Sequence, residues 1–167
     1  MKTFKELLIT LKACNEAKIW ANDMSIEEAI ASCQRGDWLL WLAKKVDIPL
    51  QALILAKGHC AKTVYHLMKD DRSKKAVDVA IGFGEGINSE EELNNAYYDA
   101  YIAYVTTDTT YAAAATDTNT AAATEVATAD AYADAVAKTK NQLETANICR
   151  KYIGQLIIDK VHLLLAE

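Results

Sequence analysis

Residues 25–46 read SIEEAIASCQRGDWLLWLAKKV, and this stretch indicates the fold class. Its first four residues form a capping box, in which Ser25 and Glu28 satisfy each other's backbone N–H groups at a helix start. Gly36 favours a chain reversal, and the apolar residues that follow have helical spacing from 38 to about 46. The stretch therefore predicts two consecutive helices joined by a short turn.

Helical spacing of apolar residues continues on both sides of this stretch. Upstream, the pattern predicts one helix over 4–20, ended by Asn22-Asp23-Met24. Downstream, it predicts a helix over 50–68 with Pro49 at its first position. It also predicts a helix from Lys74 through Phe83, and one that starts at the Ser89–Glu92 capping box.

The C-terminal half is rich in alanine and threonine. Alanine favours helix strongly and lets helices approach closely. We expect two long antiparallel helices with a turn at Asp117–Thr120, the second running to about Asn141 or beyond, and residues 142–165 closing the domain. The chain is therefore predicted to be all-α, a single compact domain of about seven or eight helices. It divides into a mixed-charge half, 1–86, and an Ala/Thr-rich half, 87–167.

The bulk composition fits one ordered domain. The chain has 167 residues, 51% of them apolar, with one proline and six glycines, which is enough to bury a core and argues against disorder. The N-terminus runs straight into an amphipathic pattern, and the longest uncharged stretches are too weakly apolar to span a bilayer. We expect a cytoplasmic protein.

The residue pattern gives no sign of catalysis. The four cysteines, Cys14, Cys33, Cys60 and Cys149, form no CxxC pair and are expected to be reduced and buried. The three histidines have no nearby Ser/Asp arrangement that would suggest a catalytic triad. The glycines of 82–86 lack the spacing and the preceding strand of a phosphate loop. The sequence therefore predicts a protein that acts by binding, with no metal and no cofactor.

The charge is unevenly distributed. The net charge is −5, yet residues 87–137 hold nine acids and no Lys or Arg. Such a stretch repels nucleic acid and anionic membranes and attracts a basic surface. The candidate partner-binding residues on it are acids and tyrosines, since tyrosine is a common interface anchor: Glu91, Tyr97, Asp99, Tyr101, Tyr104 and Asp108.

The tryptophan segment allows two interpretations. Trp38 and Trp41 are three residues apart and so share a helix face. They either anchor the core of the N-terminal half with Trp20, or line a recess that faces a partner. Asp37 is expected to cap the helix and to form a local ion pair with Arg35.

The element Cys33-Gln34-Arg35-Gly36-Asp37-Trp38-Leu39-Leu40-Trp41-Leu42 resembles immunity proteins of bacterial polymorphic toxin systems, which phages and prophages also carry. The likeness covers nearly the whole chain, including Ile19-Trp20-Ala21, residues 66–73 and 76–80, and the closing segments 140–142 and 148–152. The resemblance implies an all-α fold and a protein that neutralises a cognate toxin. The late helices depart from the family's pattern by carrying threonine, and this is where specificity for a partner is expected to lie.

Two functions follow as hypotheses. In the first, the chain is an immunity or inhibitor protein whose acidic helical face binds a toxin or another protein of basic charge. In the second, it is a phage-encoded counter-defence protein that sequesters a nucleotide signal or a host defence protein. The second would place anions on Arg35, Lys57, Lys62 and Arg72. A small helical enzyme ranks third, and the sequence leaves the oligomeric state open.

Overall fold

The computed structural model describes residues 2–107 and 135–166, and every regular element in these two ranges is helical. The prediction of an all-α domain is confirmed. The predicted Asp117–Thr120 turn lies outside the described residues. The helices are α1 (Phe4–Thr10), α2 (Asn15–Ala21), α3 (Ile26–Ser32), α4 (Gly36–Lys45), α5 (Leu50–Lys62), a 3-10 turn (Tyr65–Leu67), α6 (Asp71–Gly84), α7 (Glu90–Thr107) and α8 (Ala135–Ala166). Within the same ranges no helix has both the length and the apolar character needed to cross a membrane.

Both predicted capping boxes are present. The Ser25 N–H donates to the Glu28 carboxylate at 2.8 Å, and the Glu28 N–H donates to the Ser25 hydroxyl at 3.2 Å. Ser89 and Glu92 exchange the same two hydrogen bonds at 2.7 and 3.2 Å. A further capping box at Thr3, which the sequence reasoning missed, starts α1. These side chains satisfy backbone N–H groups that have no partner inside the helix.

The single helix predicted over 4–20 is wrong, because the chain breaks between Thr10 and Asn15. Lys12 takes a positive φ of 61°, the left-handed conformation that commonly ends a helix. The N–H of Ala13 then donates to the carbonyl of Leu8 at 2.9 Å. The break was hidden from the sequence because the apolar spacing continues across it and no glycine marks it.

Two other predicted boundaries are also wrong. The helix predicted over 50–68 ends at Lys62 and is followed by the short 3-10 turn. The helix predicted from Lys74 begins three residues earlier, where the Asp70 carboxylate caps it by accepting from the Arg72 N–H at 2.8 Å. Aspartate is a preferred capping residue, so the helix starts within the Asp-Asp-Arg-Ser segment and not after it.

The start of α4 also differs from its prediction. The helix begins at Gly36, whose φ lies outside the left-handed region, so this glycine does not make a turn. Asp37 sits inside the first turn and bonds to Arg35 instead of capping the helix. Glycine is required here for a different reason: a Cβ on Gly36 would lie 2.3 Å from the Thr145 hydroxyl oxygen and 2.7 Å from the Thr145 carbonyl carbon. The absence of a side chain lets α4 approach α8 closely.

Helix α8 is the centre of the main core. It contacts α1, α3, α4 and α5. Five of its residues at helical spacing are fully buried, namely Ala146, Cys149, Ile153, Ile157 and Val161. The predicted closing segment 142–165 is therefore part of one continuous helix. Leu143 lies on its outer side and is 42% exposed.

The cysteine prediction is correct for three of the four residues. Cys33, Cys60 and Cys149 are buried, and Cys14 is exposed because it lies in the break before α2. The Cys60 and Cys149 sulfurs are 3.9 Å apart between α5 and α8. Burial raises the pKa of the Cys33 thiol to about 11, so this thiol is neutral and packs as a small apolar side chain.

Helix α7 joins the domain through α6, and their contact is built from small residues. Ala76 on α6 packs against Ala96 and Ala100 on α7, and all three are buried. Nearby, Leu93 packs with Ile54 of α5. Small side chains allow the two helix axes to come close, and this orients the remaining faces of α7 away from the core.

Replacing Gly36 with alanine is expected to lower the free energy of unfolding by about 1–3 kcal/mol, since the new methyl overlaps the backbone of α8. Chemical denaturation monitored by circular dichroism measures the change. Gly154→Ala is the matched control. Its Cβ would meet Ile30 at 3.4 Å, an ordinary contact, and alanine favours the helix by up to about 1 kcal/mol. Equal stability of Gly36→Ala and the wild type would disprove the close-approach argument.

His59 on α5 is stacked on Tyr152 of α8, with ring centroids 4.4 Å apart and planes 7° from parallel. Its Nε2 is buried and has no hydrogen-bond partner among the described residues. Burial lowers the pKa of His59 below its ordinary value of 6.5, because a charged imidazole loses hydration there.

The folded protein is therefore expected to lose stability as the pH falls below about 6.5. Above that value His59 is neutral in both states. Below that pH, His59 is protonated in the unfolded chain before it is protonated in the folded protein. The free energy of unfolding therefore falls until the pH passes the lower pKa that His59 has in the folded state. Urea denaturation between pH 7.5 and pH 5 measures this slope, and His59→Gln is expected to flatten it. The carboxylates with lowered pKa titrate below this window. An unchanged slope in His59→Gln would assign the pH dependence to other groups.

Candidate partner-binding surfaces

The outward side of α7 is the first candidate surface. Up to Ile102, the buried residues of this helix are Leu93, Ala96 and Ala100. On the opposite side lie residues spaced three or four apart, which places them in one stripe along the helix. We call this stripe, with its flanking acids, the acidic tyrosine face; its exposed members are Glu90, Glu91, Asn94, Asn95, Tyr98, Asp99, Tyr101 and Ile102.

Large side chains are concentrated at one end of this face. Tyr98 is 62% exposed, Tyr101 46% and Ile102 52%. The half-buried Tyr97 ring lies between two of them, with its centroid 5.5 Å from that of Tyr98 and 6.3 Å from that of Tyr101. The face therefore presents an ordered group of aromatic rings beside carboxylates, with no basic residue in its own stretch of sequence.

The structure brings together four of the six predicted partner-binding residues. Glu91, Tyr97, Asp99 and Tyr101 all belong to the described part of α7. Tyr104 belongs to the last turns of the same helix, and Asp108 lies outside the described residues. Tyr98 belongs to the same group of tyrosines, but sequence reasoning did not single out Ile102. The available signal was its position four residues after Tyr98, which places both side chains on one side of the helix.

The four predicted anion-binding residues lie before α4, on α5 and on α6. Lys57 is buried, with 5% of its surface exposed. Lys62 also lies over the Tyr65 ring at 3.7 Å. Three of the four basic groups contact carboxylates of this chain, in the pairs Arg35–Asp37 at 2.5 Å, Lys62–Asp78 at 2.5 Å and Arg72–Asp70 at 2.8 Å. A phosphate would have to compete with these carboxylates.

The second candidate surface is a recess between the first four helices, with a volume of about 130 Å³. Its fourteen lining residues come from α1, the α1–α2 break, α2, α3 and α4. Trp20, Trp38 and Trp41 are among them, each half-buried. The three tryptophans pack against the main core and also line the recess. The two interpretations of the tryptophan segment are therefore compatible. We call this cavity the tryptophan recess.

Aromatic and charged groups meet at one wall of the tryptophan recess. The Trp20 and Trp38 ring centroids are 5.8 Å apart and tilted by 59°. The Arg35 guanidinium lies over Trp38 at 4.9 Å from the ring centroid. It also donates twice to the Asp37 carboxylate, at 2.8 and 2.5 Å. Asp37 is the only charged residue of the lining, and Arg35 neutralises it.

The described residues contain no group of three or more His, Cys, Asp or Glu side chains placed to hold a metal ion. No protein-family model matches the chain, and no curated protein or solved structure is significantly similar to it.

Replacing Arg35 with alanine is expected to cost about 1–3 kcal/mol of stability, because the nearly buried Asp37 carboxylate loses its guanidinium partner. Adding Asp37→Asn should recover part of that loss by removing the charge. Thermal and urea denaturation of the single and double variants measure both effects. Arg72→Ala is the control: its pair with Asp70 is more exposed and is expected to contribute less than about 1 kcal/mol. Equal losses in the two single variants would contradict a special role for the Arg35–Asp37 pair.

Proposed function

We propose that this protein is an inhibitor of the immunity type, which binds a basic protein toxin through the acidic tyrosine face of α7. The observation that carries the proposal is the exposure of large aromatic and aliphatic side chains on a helix that bears only negative charge. The resemblance of the Cys33–Leu42 element to immunity proteins supports the same class.

Exposed tyrosines support binding to a protein. Tyrosine contributes a large apolar ring and a hydroxyl group, and it is enriched where proteins bind each other. Tyr98 alone exposes 62% of its surface, and its ring makes an edge-on contact with Tyr97 at a centroid distance of 5.5 Å. A ring with a packing neighbour loses less conformational entropy on binding than one without.

The charge of α7 supports a basic partner. Glu90 and Glu91 stand at the start of the helix and Asp99 near its middle, and all three are exposed. Carboxylates around an aromatic patch attract a positive surface over a distance of about one Debye length, roughly 8 Å at physiological salt. They therefore raise the association rate more than they lower the dissociation rate. Toxins that act on nucleic acid are expected to carry such a positive surface.

The class of partner is identified by native mass spectrometry of the tagged protein purified gently from its own host. We expect a stoichiometric protein partner of basic isoelectric point. A bound nucleotide without a protein partner would favour the counter-defence hypothesis and would contradict this proposal.

Reversing two charges on the face tests the electrostatic part. The double variant Glu91→Lys, Asp99→Lys is expected to slow association with the basic partner by roughly tenfold at low salt and to weaken the salt dependence. The measurement is stopped-flow or surface-plasmon kinetics at several ionic strengths. Glu16→Lys with Glu144→Lys is the matched control, since it makes the same change in net charge at exposed acids of α2 and α8.

Tyr98→Ala tests the aromatic part of the same face. It is expected to raise the dissociation rate and to leave the long-range attraction intact. The ring is mostly exposed, so the variant should fold as the wild type does.

The charge variants also provide the contradicting outcome. If Glu91→Lys, Asp99→Lys and the control Glu16→Lys, Glu144→Lys slowed association equally, net charge alone would account for the effect. The acidic tyrosine face would then be excluded as the binding surface.

A further inference from the structure

The tryptophan recess has a composition that differs from the rest of the surface. All three tryptophans of the chain line it. They come from α2 and α4, while the opposite walls come from α1 and α3 through residues such as Phe4 and Ile30. Four helices therefore converge on one apolar cavity that is separate from the acidic tyrosine face on α7.

The size of the recess limits what it can hold. Its volume is about 130 Å³, and an apolar protein cavity of about 150 Å³ admits a benzene ring. Half-buried indoles at its walls offer ring faces and edges for aromatic stacking. The recess is close to that size, so a ligand built on a single six-membered ring matches it and a two-ring compound exceeds it.

The charges at the wall define the polarity of a ligand. Asp37 and Arg35 form a neutralised pair at this wall, so neither an anion nor a cation meets an uncompensated opposite charge there. A carboxylate accepts about four hydrogen bonds in all, and Arg35 supplies one to each oxygen. The Asp37 carboxylate can therefore accept one further hydrogen bond from a neutral donor, such as a phenolic hydroxyl.

We propose that the tryptophan recess is a binding site for a small, neutral, monocyclic aromatic molecule that carries one hydrogen-bond donor, a ligand of the phenol class. The ring occupies the space among Trp20, Trp38 and Trp41, and its hydroxyl donates to Asp37. The ligand is a free small molecule. A ring attached to a peptide backbone would bring amide groups against a lining that is almost wholly apolar, where they would lose hydration without gaining partners.

Intrinsic tryptophan fluorescence tests this site directly, because every tryptophan of the chain lies in it. Phenol titrated into the full-length protein is expected to give a saturable change and to raise the melting temperature by stabilising the native state. Toluene, which lacks the donor, is expected to bind more weakly. Benzoate, an anion, and N-acetyl-tyrosinamide, a ring on a peptide backbone, are expected to give no saturable change.

Filling the recess provides the matched variant. Ala17 lines the cavity, and Ala17→Leu is expected to weaken phenol binding by roughly tenfold or more by occupying the space of the ring. Ala31→Leu makes the same change at an exposed residue of α3 outside the recess and should bind as the wild type does. Ala17→Val adds less volume and replaces Ala17→Leu in the test if the leucine variant does not fold. It is expected to lose less affinity for phenol than the leucine variant.

Three results would overturn the proposal. One is the absence of any saturable response to phenol in folded wild-type protein. Another is unchanged phenol affinity in a folded Ala17 variant. The last is binding of N-acetyl-tyrosinamide at least as tight as that of phenol, which would assign the recess to a partner's side chain instead. Equal affinity for toluene and phenol would overturn the role given to Asp37.

Discussion

The close contact between Gly36 and Thr145 fixes how the two halves of the core meet. A side chain at Gly36 would overlap the backbone of α8, so the start of α4 is in close contact with α8 at Thr145. One turn further along α8, Cys149 contacts the Gly36 carbonyl at 3.7 Å and Cys60 at 3.9 Å. Helices α4 and α5 are thereby placed on adjacent sides of α8, and close contact of this kind leaves little freedom for their orientation.

Much of the fold was predictable because local chemistry determines it. The capping boxes at Ser25 and Ser89 mark helix starts wherever the chain lies in space. The break at Lys12 was missed because it depends on a left-handed backbone that a lysine adopts only when tertiary contacts favour it. Gly36 was misinterpreted for a related reason, since a turn glycine and a close-approach glycine look identical in sequence.

The two candidate surfaces differ in how far the sequence could define them. The acidic tyrosine face lies on one helix, so spacing and charge predicted Glu91, Asp99 and the neighbouring tyrosines as a group. The tryptophan recess needs four helices to converge, and no spacing along the chain reports that Phe4, Ala17 and Trp41 share a cavity. The Arg35–Asp37 pair was predicted as local chemistry, while its place in the wall of that recess depends on the fold.

The central position of α8 has a consequence for how the chain folds. Arg150 bonds to the Ile30 carbonyl across 120 residues of sequence, and Cys149 reaches Gly36 across 113. An all-helical chain usually folds fast because its contacts are local. Here the apolar faces of α1, α3 and α4 cannot be covered until residues 135–166 have left the ribosome, so the core closes only after this helix has been made. The nascent N-terminal half must remain unaggregated until then.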